Sequence, residues 1–245
     1  MSTNSHDTHT NVFSPDGRIF QIEYALKSVT LSPTALAIRT RAGIVFAVER
    51  RTSSPLRLQT RFERIMHVDD HAMACVAGHA SDSKLLLQSA RTEAQSHRFL
   101  YDEFVPLQAL SESLSEVLIN FGRGKKKLGR PFGCSLLIGG LDGSTPRLFC
   151  AEPSGSVTEA AARSLGAGST TAQQTLQDSY REDMSLEDAK LLALEILRDV
   201  MESTVRGDNV EMATISYDPA KKVPVKSLLS EKDVKELIAK LPATI

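Results

Sequence analysis

Two histidines and two aspartates that could bind a metal ion share one short segment. His67 and His71 stand four residues apart, with Asp69 and Asp70 between them. On a helix this spacing would place both imidazoles on one face, where they could ligate zinc. The apolar and polar pattern around them instead predicts a strand and a turn, which separates the two rings. We therefore expect an ordinary polar turn here and no metal site.

The densest basic run lies at residues 122–129, which read Gly-Arg-Gly-Lys-Lys-Lys-Leu-Gly. A phosphate-cradling loop would need Gly-x4-Gly-Lys followed by Ser or Thr, and this run does not have that order. The three lysines Lys125–Lys127 could instead contact a nucleic acid or an acidic partner. A solvated loop is the simpler interpretation, so nucleic-acid binding is not expected.

Composition limits the remaining classes of function. The net charge is −1 over 245 residues, with 41% hydrophobic and 24% charged residues, as in ordinary globular proteins. Cys75, Cys134 and Cys150 are scattered singly in apolar runs, which favours buried free thiols. No apolar run approaches a bilayer span, and residues 1–10 lack the hydrophobic core of a signal peptide. We expect a protein of the cytoplasm and nucleus, with no membrane contact and no cofactor.

The segment Phe13–Ala25 combines a tight turn with the start of an amphipathic helix. Residues 14–17 (Ser-Pro-Asp-Gly) predict the turn, because Pro15 presets φ and Gly17 tolerates positive φ. Apolar residues then recur at helical spacing as far as Val29, which predicts a helix over 19–29. A helix this short is marginal alone, so its apolar stripe needs a surface to lie on.

Pairs of short strands and pairs of helices alternate along the rest of the chain. Strands are predicted at 34–39, 44–49, 64–68, 73–78, 134–140, 147–152 and 210–217. Helices are predicted at about 82–99 and 107–121, in a second pair whose latter member opens at Ser185, and after Ser230. Strands grouped in pairs favour antiparallel sheets. Two facing sheets with helices outside give an α+β fold, a four-layer αββα sandwich over 13–245, behind a flexible polar tail at 1–12.

Residues 13–25 (Phe-Ser-Pro-Asp-Gly-Arg-Ile-Phe-Gln-Ile-Glu-Tyr-Ala) resemble the signature of alpha-type subunits of the 20S proteasome. Further stretches similar to that family are Thr34–Ile38, Arg130–Gly133, Pro146–Phe149 and Pro153–Gly155. Glu49–Leu56 and Glu93–His97 resemble one subunit type within the family. The resemblance implies the sandwich of N-terminal nucleophile hydrolases, with 13–29 as a helix specific to alpha-type subunits.

The resemblance also implies that the catalytic threonine of related beta-type subunits has no counterpart here. In those relatives a freed N-terminal threonine supplies both the hydroxyl nucleophile and the amine base. Pro33 stands at the position of that threonine, and no Gly-Thr bond precedes the strand. Glu49 and Arg51 stand where the relatives keep an acid and a basic residue, and Arg64 where they keep a lysine. We expect a pseudo-active site; the alternative is a threonine hydrolase of the same fold, processed to expose Thr34.

Near the N-terminus, the resemblance implies a gate. Pro15, Gly17 and Tyr24 would orient the tail beside the pore of a seven-membered alpha ring. Asp7 matches the aspartate of a Tyr-Asp pair that family members often carry in the tail, whereas His6 stands in place of the tyrosine. The expected contribution is ring assembly and control of the pore in ubiquitin-dependent protein degradation.

Ser32 and Arg64 are expected, by resemblance, in a pocket that receives the C-terminal tail of an activator. A lysine in related subunits pairs there with the terminal carboxylate, and Arg64 keeps that charge. Ser32 stands where many relatives have glycine. The implied partners are alpha subunits on both sides, beta-ring subunits and activator tails. A third interpretation is a binding module that uses Lys125–Lys127.

Overall fold

The computed structural model describes residues 10–51, 56, 64–122 and 129–241, so Asp7 and Lys125–Lys127 lie outside the described residues. Its helices are α1 (Phe20–Thr30), α2 (Ala80–Tyr101), α3 (Leu107–Ile119), α4 (Ser169–Ser179), α5 (Leu186–Val200) and α6 (Glu231–Ala239). Its strands are β1 (Ala35–Thr40), β2 (Gly43–Glu49), β3 (Ile65–Asp69), β4 (Ala72–Gly78), β5 (Cys134–Asp142), β6 (Thr145–Ala151), β7 (Val157–Glu159), β8 (Ala162–Leu165), β9 (Val210–Asp218) and β10 (Val223–Leu228). Among these helices, none combines the length and apolar character that a bilayer crossing requires.

The strands form two antiparallel sheets of five strands each. The first sheet has the order β10-β9-β2-β1-β8, and the second sheet has the order β3-β4-β5-β6-β7. In the first sheet, Thr40 pairs with Gly43 across the β1–β2 turn. In the second sheet, Asp142 pairs with Thr145 across the β5–β6 turn. Gly143 takes a φ of 63° in that turn, which confirms the predicted Asp-Gly hairpin.

Three apolar clusters lie between the layers. The inner faces of the two sheets pack on each other through residues such as Phe46, Met73 and Leu137. The outer face of the first sheet packs against α4, α5 and α6, and the outer face of the second sheet packs against α2 and α3. This arrangement confirms the four-layer αββα sandwich predicted from the paired strands and helices.

Local sequence signals fix two helix starts. The Ser185 hydroxyl accepts the Asp188 N–H at 3.1 Å, and the Asp188 carboxylate accepts the Ser185 N–H at 3.4 Å. Ser230 and Asp233 form the same reciprocal pair at 3.3 and 2.7 Å. Both capping boxes could be predicted from the three-residue spacing, because they depend only on local contacts.

Three strands are absent from the sequence-based prediction: β7, β8 and β10. All three are edge strands. β7 and β8 have only three and four residues, and β10 contains Pro224, which lacks the N–H of a ladder donor. Their pairing depends on the neighbouring strand rather than on their own apolar pattern, so the sequence carries little signal for them.

Helix α1 lies at one end of the sandwich, against β4 and β5 of the second sheet. Ala25 and Val29 are buried, and the Ser28 hydroxyl donates to the Gly133 carbonyl at 3.0 Å. Ile22 and Leu26, from the stripe that predicted the helix, stay half-buried. This chain alone therefore covers only part of the apolar face of α1.

Candidate functional site

The residue that precedes β1 is buried, and each of its polar groups has a partner. Thr34 is 0% exposed. Its N–H donates to Glu49 Oε2 at 3.0 Å, and its carbonyl accepts the Glu49 N–H at 2.8 Å. Its hydroxyl accepts the N–H of Gly168, which precedes α4, at 3.1 Å. We call Thr34, Glu49 and Gly168 the buried face of the β1 start.

Glu49 of this buried face forms an ion pair with Arg51, whose side chain is 43% exposed. Arg51 Nε lies 2.8 Å from Glu49 Oε1, and Arg51 Nη2 lies 3.2 Å from Glu49 Oε2. These hydrogen bonds to the carboxylate raise the pKa of the Arg51 guanidinium. The Glu49 carboxylate thus bonds both the Arg51 side chain and the Thr34 amide, and these contacts hold the start of β1 in place.

On one side, the chain before Thr34 packs closely against the segment that precedes α4. A Cβ at Gly166, which has a φ of 97°, would come within 2.5 Å of the Pro33 carbonyl oxygen. The Ser32 carbonyl accepts the Ala167 N–H at 2.9 Å. The structure brings the amide of Thr34 to Glu49. A nucleophile at Thr34 would need this nitrogen as a free amine.

On its other side, the β1 start borders a pocket of about 280 Å³. Its lining comes from the end of α1, the residues before β1, and the ends of β3 and β4: Ser28, Leu31, Ser32, Pro33, Arg64, Gly78 and His79. The structure therefore brings together Ser32 and Arg64, the two residues that the resemblance assigned to one pocket. The Ser32 hydroxyl donates to the Val29 carbonyl at 2.7 Å, so it caps the end of α1.

Arg64 is the cation of this pocket, and its main chain is held from both sheets. Its N–H donates to Glu211 Oε2 of β9 at 3.1 Å. Its carbonyl accepts the Val76 N–H of β4 at 3.0 Å. Its Nη1 donates to the Gly78 carbonyl at 3.3 Å. A guanidinium carries five N–H donors in a planar fork, a shape that suits a carboxylate ligand.

The predicted turn before α1 has the expected geometry. The Gly17 N–H donates to the Ser14 carbonyl at 2.9 Å, and Gly17 takes a φ of 73°. Pro15 is exposed within the turn, and Tyr24 is 49% exposed on α1. The rings of Phe20 and Tyr24 stack with centroids 6.5 Å apart. Pro15, Gly17 and Tyr24 thus lie at the start of the chain's described part; Asp7 lies outside it.

Asp82 in the first turn of α2 holds the segment that precedes β5, a role that sequence reasoning missed. Its Oδ2 accepts the Gly133 N–H at 2.8 Å, and Arg130 bonds both of its oxygens at 2.6 and 2.9 Å. The hydrogen bond from Arg130 lowers the pKa of Asp82. Arg130–Gly133 belonged to a family-like stretch, but the sequence contains no signal that pairs it with a residue 48 positions earlier.

The other candidate groups form no reactive centre in the described ranges. His71 is buried with Nε2 2.9 Å from the Val105 carbonyl, while His67 lies in β3, so the strand and turn predicted for this segment are confirmed. No group of three or more His, Cys, Asp or Glu in these ranges is placed to hold a metal ion. Cys75, Cys134 and Cys150 are free and buried, as predicted, and burial raises the pKa of Cys134 and Cys150 to about 12.

The fold and the β1 start define a class of protein, an αββα sandwich of the N-terminal nucleophile hydrolase type with an added helix in front. Residues 29–215 match the family described as "Proteasome subunit". Residues 6–27 match a second family, described as the N-terminal signature of A-type proteasome subunits. The chain therefore belongs to the proteasome subunit family, and the second match places it among the alpha-type subunits.

Curated relatives agree on a subunit type. The chain is 36% identical to "Probable proteasome subunit alpha type-5" of Schizosaccharomyces pombe, over 89% of this chain and 90% of that protein. It is 37% identical to "Proteasome subunit alpha type-5" of Drosophila melanogaster, over 89% and 91%. It is 38% identical to the protein of the same name in Trypanosoma brucei brucei, over 87% and 88%. The resemblance of Glu49–Leu56 and Glu93–His97 to one subunit type is consistent with these relatives.

Proposed function

We propose that this chain is a non-catalytic subunit of the alpha ring of a 20S proteasome, of the alpha type-5 kind. The observation that carries the proposal is the packing of α1 on β4 and β5 directly ahead of Thr34, whose buried main-chain nitrogen donates to Glu49 at 3.0 Å. A threonine hydrolase of this fold needs that nitrogen as a free amine, which acts as the base for the hydroxyl. The chain thus contributes architecture and access to protein degradation, while other subunits cut the substrate.

The processed hydrolase is not favoured. Cleavage before Thr34 would release the carbonyl of Pro33 from its close packing on Gly166. It would also detach α1, which Ser28 and Val29 join to the body of the domain.

Intact mass and active-site labelling test the non-catalytic role. Particles purified from the source are treated with a probe that reacts with N-terminal threonine, and the mass of each subunit is then measured. We expect this chain to keep residues 1–33 and to carry no probe, while beta subunits in the same particles are labelled. Labelling of this chain at Thr34 would contradict the proposal.

We further propose that the pocket beside Arg64 takes the C-terminal carboxylate of an activator tail. Arg64 and Ser32 line one pocket at the end of α1, and the planar guanidinium suits a carboxylate with two parallel hydrogen bonds. The half-buried Ile22 and Leu26 of α1 support contact with a neighbouring subunit of the ring. The partners proposed are alpha subunits on both sides, beta-ring subunits and activator tails.

The turn at Pro15 and Gly17, with Tyr24 on the helix that follows, is proposed to direct the tail toward the pore. The support is local: the turn is closed by a main-chain hydrogen bond, and Arg18 pairs with Glu23 to join the turn to α1. Such a rigid exit fixes the direction in which the preceding residues leave the domain. A particle of this kind is proposed to work in the cytoplasm and nucleus.

A further inference from the structure

Glu211 is a buried carboxylate between the two sheets. It lies in β9, opposite Val48 of β2, and is 3% exposed. Ala213 and Ile215, the next residues on the same face of β9, belong to the apolar cluster between the sheets. A carboxylate in such a place is costly unless hydrogen bonds stabilise it. Its presence there therefore calls for donors within reach.

Two donors to Glu211 belong to the chain segment that carries Arg64. Glu211 Oε2 accepts the Arg64 N–H at 3.1 Å and the Ile65 N–H at 3.2 Å. Both bonds reach the same oxygen atom. They join β9 of the first sheet to the point where the chain enters β3 of the second. The Val76 N–H bonds the Arg64 carbonyl from β4, so the main chain of Arg64 is fixed on both sides.

The fixed main chain of Arg64 sets the point and the direction from which its side chain leaves the backbone. From there the side chain reaches the Gly78 carbonyl, with Nη1 at 3.3 Å. It thereby lines the pocket together with Ser32 and Pro33. A long side chain loses rotamer entropy on binding a ligand, and this loss is smaller when a hydrogen bond such as the one to Gly78 already restrains the guanidinium.

We propose that Glu211 is a positioning residue for carboxylate binding by Arg64. Its Oε2 holds the two amides that set the direction of the Arg64 side chain, so that the guanidinium faces the pocket. An apolar residue at this position would leave both amides without that acceptor. This inference rests on the proposed function of the pocket as a site for a peptide C-terminal carboxylate.

The experiment measures selectivity rather than affinity alone. The probe is a fluorescein-labelled octapeptide with the sequence of an activator C-terminus, made once with a free carboxylate and once as the C-terminal amide. Both forms are titrated onto assembled particles in which the pockets of the other alpha subunits are inactivated. The dissociation constant of the amide divided by that of the free acid reports the carboxylate contact, whereas damage to assembly or folding weakens both peptides alike.

The variants separate the hydrogen bonds of Glu211 from its charge. Glu211→Gln keeps a carbonyl oxygen that can accept both amides, so it should stay within about twofold of the wild-type ratio. Glu211→Ala removes the acceptor and should lower the ratio about tenfold, which corresponds to about 1.4 kcal/mol. If Glu211→Ala does not enter particles, Glu211→Asp is measured in its place. Its shorter side chain moves the acceptor oxygen away from the two amides, so the same loss of the ratio is expected.

Three results would contradict either the positioning role of Glu211 or the carboxylate pocket itself. A wild-type ratio in Glu211→Ala or Glu211→Asp, with the ratio lost in Arg64→Ala, overturns the positioning role and leaves the pocket intact. An equal loss in Glu211→Gln and Glu211→Ala also overturns it, because the retained acceptor then has no effect. A wild-type particle that binds acid and amide equally instead rejects the carboxylate pocket itself.

Discussion

The start of β1 separates two regions with opposite character. On the buried face, the amide, carbonyl and hydroxyl of Thr34 all bond to neighbours, and the Glu49 carboxylate bonds Arg51. On the other side, Arg64 lines an open pocket of about 280 Å³ with its guanidinium. The two regions differ in their surroundings. The polar groups of Thr34 bond other groups inside the domain, whereas the guanidinium of Arg64 lines a cavity.

The proposed loss of catalysis and the proposed binding of a tail concern these two regions separately. Catalysis by an N-terminal threonine needs a free amine, whereas the nitrogen of Thr34 donates to Glu49 in this structure. A guanidinium beside a cavity has the shape and charge that suit a carboxylate, and Arg64 lines such a cavity.

The largest expected effect lies on the open side. Arg64→Glu puts a negative charge where a carboxylate would bind, and it should weaken this pocket's share of activator-peptide binding by about 2–5 kcal/mol. Arg64→Lys keeps the charge and should bind almost as wild type. Fluorescence titration onto particles with the other pockets inactivated measures both. If Arg64→Glu and wild type bound the activator peptide equally, Arg64 would have no role in binding it, and the contrast between the two regions would be lost.

A smaller effect is expected on the buried face, and on stability instead of binding. Glu49→Ala leaves the Thr34 N–H without its acceptor and Arg51 without its partner, which should lower the free energy of unfolding by about 2–3 kcal/mol. Glu49→Gln, which retains an acceptor oxygen, should lose less than half of that. Urea unfolding of the purified chain measures the change. A loss of peptide selectivity without destabilisation would show that this face takes part in binding.

The smallest effect concerns Asp82, which lies outside both regions and bonds Arg130 and Gly133. Asp82→Asn can still accept the Gly133 N–H but loses the ion pair with Arg130, which should cost about 1 kcal/mol at pH 7. Arg130 holds the folded pKa of Asp82 below its ordinary value of 3.8. This stabilisation is therefore present above the unfolded pKa and disappears as the pH falls through the lower folded pKa.

The free energy of unfolding of wild type and of Asp82→Asn, measured at pH 7, 5 and 3, tests this pH dependence. The difference between the two proteins should be constant from pH 7 to 5 and should shrink at pH 3. A difference that grows on acidification would have the wrong sign for a carboxylate with a lowered pKa. It would show that Arg130 does not stabilise the charged form of Asp82.

Much of the fold could be predicted, because its signals are local. The Asp142-Gly143 turn and the Ser185 capping box depend on residues within four positions of each other. The grouping of strands in pairs was enough to predict the sandwich. The edge strands β7, β8 and β10 were missed, since a short edge strand is stabilised by its neighbour more than by its own composition.

The candidate site was predictable only in part. Ser32 and Arg64 came from the resemblance, and the structure places them in one pocket. The roles of Asp82 and Glu211 were not predictable, because their partners Arg130 and Arg64 are 48 and 147 positions away. No spacing rule links residues at such separations.

The sequence by itself determined the turn at Pro15, the alternation of strand and helix pairs, and a proline without a hydroxyl at position 33. Only the tertiary structure decided that Thr34 would bond Glu49 and Gly168, and that Glu211 would hold the amides of Arg64 and Ile65. The physical reason is that turns and helix starts form from neighbouring residues. A buried carboxylate, in contrast, bonds whichever donors the packing of two sheets brings within about 3 Å.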